Sequence, residues 1–156
     1  MKKSMPSTQM QKPTDPTTPQ TPEPWQPNLR TQRRMEAVWH LTAEDMAYLR
    51  SCARAHALAH RHPFPVQGKL AAVAQGYRQF VIFCGWLAVV ESPEPFPLPR
   101  AKLTALMDIT RINTVGIWID WAVRDGYLKL VTPSGGGKYA TYRFAIDRIP
   151  ILKERV

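Results

Sequence analysis

Four prolines alternate with other residues in the run Ser92-Pro-Glu-Pro-Phe-Pro-Leu-Pro99, and they constrain this chain more than any other feature. Proline has a fixed φ and no amide hydrogen, and it pushes the residue before it out of helical geometry. Residues 92–99 therefore run extended, as a Pro-rich connector. The chain on one side of it cannot share a helix with the chain on the other, so each side has its own pattern.

Upstream, the spacing predicts a pair of helices. Order is expected from about Leu41, with Thr42 as N-cap and Glu44 and Asp45 in the first turn, where acids complement the helix dipole. Met46, Leu49, Ala53 and Ala57 follow at helical spacing, and Pro63 and Pro65 end the helix. A second helix is predicted from about Lys69 to Val90, with Leu70, Val73, Ala74, Tyr77, Val81, Cys84 and Ala88 on one stripe. Its latter half, Val81–Val90, is apolar on all sides and must be covered all round, by its own domain or by a second copy. Residues 37–91 are thus read as a helical scaffold or dimerisation region, and a homodimer is the expected assembly. This apolar run is about half the length a bilayer crossing needs, so no membrane partner is expected.

Residues 1–36 hold seven of the fifteen prolines, many Thr and Gln, and almost no apolar side chains. Such a segment cannot bury enough surface to offset its ordering entropy, and a disordered tail is expected. Arg30, Arg33 and Arg34 at its end are either a phosphate-touching arm or an uncommitted linker. Lys2 and Lys3 are followed by Pro, Thr and Gln rather than an apolar stretch, which is not a secretory signal. A cytoplasmic location is the expectation.

Downstream the pattern changes. Pro99 is placed to start a short helix over Arg100–Met107, with Leu103, Leu106 and Met107 as its apolar face. Residues 108–112 read as a turn. A second helix follows from about Asn113 to Arg124, capped by Thr110 or Asn113, with Val115, Trp118, Ile119 and Ala122 turned inward. Gly126 is positioned to end it in a left-handed conformation. Tyr127–Thr132 and Tyr139–Ile146 then fit the period-two alternation of strands, joined by Pro133-Ser-Gly-Gly-Gly-Lys138. Helix, turn, helix, then a hairpin with a basic glycine-rich tip is the order of a winged helix. The fold class is accordingly mainly α with a small β-hairpin wing (α+β), a helical pair followed by a winged helix-turn-helix over 97–148 and a C-terminal tail over 149–156.

The stretch Leu98–Leu128 also resembles the bacterial winged helix-turn-helix regulators. Thr114-Val115 matches the Thr-Val pair that opens the recognition helix in that superfamily, and Asp125-Gly126-Tyr127-Leu128 matches the signature that ends it. The likeness covers about a third of the chain and implies a DNA-binding regulator of transcription without naming a member. The turn is one residue longer than usual. Positions that the family fills with Ser, Arg or Lys hold Gly116, Ile117, Asp120 and Trp121.

Charge supports a nucleic-acid partner. The net charge is +9, and residues 100–156 carry ten Lys and Arg against five Asp and Glu, so the excess sits with the motif. In such a domain the helix beginning near 113 enters the major groove of double-stranded DNA, its first residues closest to base edges. Thr110, Arg111, Asn113 and Thr114 are the candidates there, with Ile117 able to meet a thymine methyl. Arg100, Lys102, Lys138 and Tyr139 are candidates for the DNA backbone, as are Lys129 and Arg143, contacts that add affinity but no sequence information. An aspartate at 120 would repel phosphates. The alternative is a protein-binding winged-helix adaptor, an accessory factor of plasmid, phage or replication machinery, using Ile117, Asp120 and Trp121.

Other chemistries find little support. Cys52, His56 and His60 fall at i, i+4 and i+8, but ligands spread over two helical turns cannot all reach one ion, so helix-surface histidines are expected and no metal. Cys52 and Cys84 lack CxxC partners and read as small buried hydrophobes. Ser134-Gly-Gly-Gly-Lys138 lacks the phosphate-loop spacing and leads into a strand. There is no nucleophile elbow, convincing carboxylate pair or dinucleotide fingerprint, so no enzyme and no cofactor is expected.

Overall fold

A computed structural model describes residues 42–156 apart from residue 112. The expected disordered tail 1–36, the cations Arg30, Arg33 and Arg34, the onset of order at Leu41, and Ile112 of the turn lie outside the described residues.

The first helix, α1, runs Ala43–Arg61. Its start is closed by a reciprocal cap: the Asp45 N–H donates to Thr42 Oγ1 and the Thr42 N–H donates to Asp45 Oδ2, each at 3.2 Å. The expected single helix over 69–90 is broken. A short α2, Lys69–Val73, is followed by α3, Gln75–Glu91, with Ala74 extended between them (φ −119°, ψ 92°). The break releases Val73 from the predicted stripe and leaves it 83% exposed. It also places Gly76 in the first turn of α3, where the Trp118 ring lies against bare backbone. Tertiary packing here overrides helix continuity.

From Phe80 to Ala88 every residue of α3 is buried, as is Tyr77. The cover comes from the chain itself, since α1 and α2, the C-terminal helices and two strands all pack against α3. Gly85 marks the closest approach, because a Cβ there would stand 2.8 Å from both Leu152 Cδ1 and Phe64 Cζ. The Trp86 indole N–H donates to the His62 carbonyl at 2.9 Å, satisfying the only polar atom of a fully buried ring.

The connector is extended as expected, but it also supplies a strand. β1, Phe96–Pro97, pairs antiparallel with β3, Thr141–Phe144, which pairs on its other side with β2, Leu128–Thr132. Proline is tolerated in β1 because this is an edge, where a missing donor costs no ladder bond. β3 alternates as predicted, with Tyr142 and Phe144 buried and Arg143 outward. β2 does not: only Leu128 is buried, and the register slips between Leu130 and Thr132. That slip and its edge position leave Leu130 and Val131 exposed.

Residues expected as a C-terminal tail are part of the body. A 3-10 turn, Ile146–Arg148, leads into a last short helix, Pro150–Lys153, and Ile149 and Leu152 close the core. Buried residues from Cys52 to Leu152 form one cluster, so the helices before the connector and the elements after it share a single interior. The whole is mainly helical with a small three-stranded antiparallel sheet, an α+β arrangement as expected. Among the described residues no helix is long and apolar enough to cross a membrane.

Candidate nucleic-acid interface

Two helices carry the candidate residues: α4, Arg100–Leu106, and α5, Thr114–Arg124. Both end in the same way. After α4, the Ile109 N–H donates to the Thr104 carbonyl and the Asp108 N–H to the Ala105 carbonyl, with Asp108 at φ +52°. After α5, the Tyr127 N–H donates to the Ala122 carbonyl and the Gly126 N–H to the Val123 carbonyl, with Gly126 at φ +81° as predicted. A left-handed residue in these paired bonds satisfies carbonyls that a helix end leaves orphaned. Asn113 precedes α5, but it lies in αR geometry and makes no side-chain cap, so the predicted Asn113 cap is not formed. An extended cap residue is what aims a side chain back at the first amides.

The inner face of α5 is as its spacing predicts. Val115, Ile119 and Ala122 are buried, and half-buried Trp118 packs on Phe80 with ring centroids 5.7 Å apart. The C-terminal end is tethered from three sides. The Tyr77 hydroxyl donates to Asp125 Oδ2 at 2.7 Å, and Arg148 Nη1 donates to the Asp125 carbonyl at 2.9 Å. The Arg148 guanidinium also lies 4.2 Å from the centre of the Tyr127 ring, whose hydroxyl accepts from the Gln67 N–H. Burial, followed by the hydrogen bond to Asp125, drives the Tyr77 phenol well above its usual range. That hydroxyl stays a donor, and α5 is held rigidly.

Outward from α5 point Asn113, Ile117, Asp120 and Arg124, spaced to share one face, with Thr114 and Trp121 half-buried beside them. Thr110 and Arg111 are exposed just ahead of the helix. Arg124 was missed in the sequence, although its i+7 relation to Ile117 is the signal that would have found it. The expected apolar patch is smaller than predicted: Trp121 stands edge-to-face on Tyr77, centroids 5.4 Å apart, while Ile117 is 45% exposed.

Arg100 and Lys102 differ in what they do. The Arg100 side chain lies over the backbone of Gly116, where a Cβ would meet its Nη1 at 3.3 Å, so glycine at 116 lets this cation lie across α5. Arg100 and Asp120 both reach near the Tyr142 phenol, which burial raises, the Arg100 charge lowers and the Asp120 charge raises. Lys102, expected on the DNA backbone, is committed elsewhere: its Nζ donates to Asp45 Oδ1 at 2.8 Å in a mostly covered ion pair and sits 5.2 Å from the Tyr139 ring centre. Burial opposes the charge on Lys102, but its hydrogen bonds to Asp45 and Tyr139 leave it raised, while the Lys102 hydrogen bond holds the Asp45 carboxyl down. Lys102 thus ties the start of α1 to Tyr139 of the hairpin.

The hairpin tip stands clear of the body. Gly135 and Lys138 exchange backbone hydrogen bonds around Gly136 and Gly137, both at positive φ, as a two-residue hairpin turn requires. A Cβ on any of Gly135, Gly136 or Gly137 would meet nothing within 4 Å. Lys138 and half-exposed Tyr139 are presented there. Lys129 and Arg143 are exposed and directly opposite in the β2–β3 ladder, a like-charge pair that is unfavourable by itself. Arg143 Nη1 donates to the Pro93 carbonyl at 2.8 Å.

Two further expectations are resolved by packing. The all-round apolar helix that suggested a dimer is covered within the chain. Cys52 and Cys84 are both buried and reduced, and burial pushes the Cys52 thiol up to about 12. Cys52 is fully buried, whereas His56 and His60 are not.

No family model, curated protein or solved structure matches the chain.

Proposed function

We propose that this protein binds double-stranded DNA through a winged helix-turn-helix over residues 97–148 and regulates transcription. The single observation that carries this reading is α5, an amphipathic helix pinned at its inner face and C-terminus. Its exposed start, Thr110, Arg111 and Asn113, is flanked by Arg100 on Gly116 and followed by a projecting hairpin that presents Lys138. A rigid helix whose N-terminal residues stand outward is suited to the major groove, and a projecting basic tip is suited to the flanking backbone. Asn113 and Arg111 carry donors for base edges, and Ile117 supplies an apolar contact for a thymine methyl. Arg100, Arg111, Arg124 and Lys138 supply phosphate neutralisation; Lys102 does not take part.

The test is fluorescence anisotropy of the purified chain on mixed-sequence duplex DNA across a salt series. Four phosphate contacts give a slope of log K against log salt of roughly −3 to −4. Arg111→Ala and Lys138→Ala each lower affinity and reduce the slope by about one. Absence of binding at low salt overturns the reading.

The adaptor reading is favoured by one observation: Ile117, Val123, Leu130 and Val131 are each more than 40% exposed, apolar surface that a protein partner would cover. It predicts that Ile117→Ser abolishes capture of a protein while leaving DNA affinity unchanged.

A further inference from the structure

A cavity lies between the N-terminal helices and the turn that precedes α5. It has a volume of about 610 Å³ and is walled by α1, α3, the turn after α4, and the Trp118 side of α5. Its floor is aromatic and aliphatic, with Phe80, Phe83 and Trp118 facing Leu106, Met107 and Ile109. Its lining also holds polar groups, His56 and His60 from α1, Gln79 from α3 and Asp108 from the turn. Small-molecule sites have this make-up, an apolar concavity of roughly 300–1,000 Å³ with a few convergent polar groups. Burial, followed by the neighbouring His60, lowers the His56 imidazole, so at neutral pH it offers hydrogen bonds more than charge.

We infer that this cavity binds a small aromatic molecule bearing one hydroxyl or acidic head, with the rings against Phe80, Phe83 and Trp118 and the head toward His56 and His60. The position of the cavity gives such a ligand a consequence. Met107, Asp108 and Ile109 form one wall, and they are also the start of the turn that places Thr110 and Arg111 at the head of α5. Asp108, at φ +52°, is the left-handed residue that closes α4, so this wall sets the course of the chain into the turn. A molecule that contacts this turn selects among its conformations, and so among positions of Thr110 and Arg111. Occupancy is thereby coupled to DNA affinity, a step that rests on the function proposed above.

The experiment titrates the full chain with 8-anilinonaphthalene-1-sulfonate, an aromatic probe with one acidic head whose fluorescence rises in apolar surroundings. Saturable one-to-one binding is expected, weakened about tenfold or more by Gln79→Trp, which fills the cavity from an exposed position. Ala59→Phe fills it from α1 and gives the same loss, and thermal unfolding checks that each variant is folded. Unsaturable binding, or binding that survives both substitutions in folded protein, overturns the site. In parallel, saturating probe shifts the anisotropy-measured DNA affinity by about fivefold or more in the parent chain and not in Gln79→Trp. Probe binding with unshifted DNA affinity overturns the coupling. Since the probe titration contains no DNA, a chain that fails to bind DNA refutes the function while the site is still judged on the probe alone.

Discussion

The contact between Gly76 and Trp118 allows a substitution whose sign distinguishes packing from propensity. An ideal Cβ on Gly76 would lie 2.7 Å from Trp118 Cζ2 and 3.0 Å from Cη2. Carbon atoms rest at about 3.5–4.0 Å, so the Gly76→Ala variant must move the indole by roughly 1 Å. The ring is poorly placed to yield, because it stands on a helix tethered at its far end and packs on Phe80. Overpacking of this kind costs about 1–3 kcal/mol. Against it stands the helix-propensity gain of Gly to Ala, about 1 kcal/mol in a helix interior and less in the first turn, where Gly76 sits. The net expectation is a loss of about 1–2 kcal/mol, read as a lower urea midpoint at unchanged m-value by far-UV circular dichroism. The decisive comparison is the same substitution in a Trp118→Leu background. With the ring gone the clash is gone, and Gly76→Ala becomes neutral or stabilising, giving a coupling of about 1–3 kcal/mol. A stability gain in the parent background, or an equal loss in both, refutes the claim that Trp118 holds α5 against bare α3 backbone.

Other contacts give simpler expectations. Tyr77→Phe removes the donor to Asp125 Oδ2 and lowers stability by about 1–2 kcal/mol in urea titrations; an unchanged midpoint shows that this tether carries nothing. Lys102→Met breaks the mostly covered pair with Asp45 and lowers stability by about 1 kcal/mol, but changes DNA affinity less than about twofold because its ammonium faces Asp45 rather than solvent. Stability also depends on pH. His56 is depressed in the fold below its usual 6.5, so its contribution is complete above 6.5 and is lost as pH falls through the folded value. Thermal midpoints measured from pH 7.5 down to 5.5 therefore decline, and the decline is reduced in His56→Gln.

What was legible in the sequence was local. The Thr42 cap and its first-turn acids lie within one turn, the Val115–Ile119–Ala122 stripe spans two turns, and Gly126 ends α5 because few other residues hold φ +81° without strain. What was not legible depends on chain brought from far away. The Lys102–Asp45 pair joins positions 57 apart and the Tyr77–Asp125 bond joins positions 48 apart, and no spacing rule links either. Trp121 read as an exposed apolar group because its helical position is outward, yet the Tyr77 ring comes up beside it. β1 escaped notice because a two-residue strand that includes a proline shows no alternation; its strand character comes from β3 lying alongside. The break at Ala74 has the same origin, since the amino acids there favour continuing a helix and the packing of Trp118 on Gly76 is what the sequence conceals.

Asp120 provides a stringent test of which way α5 faces. It is exposed on the same side as Asn113, Ile117 and Arg124, so a duplex seated on that face brings phosphates toward a carboxylate. At about 8 Å in water, two unit charges interact by about 0.5 kcal/mol, roughly a twofold effect on affinity for each phosphate at that distance. Arg100, whose side chain lies against Gly116 of the same helix, brings a charge of the opposite sign, so the two charges are best tested together. Asp120→Asn is expected to strengthen DNA binding about two- to fourfold at low salt, with the gain fading as the screening length falls below about 10 Å near 0.1 M salt. Arg100→Ala acts in the opposite direction and also lowers the salt slope, whereas Asp120→Asn changes affinity with little effect on the number of ions released. If Asp120→Asn leaves affinity unchanged at low salt while Lys138→Ala weakens it, the hairpin meets the duplex and the α5 face does not. That face, with Ile117 at its centre, then belongs to a protein partner.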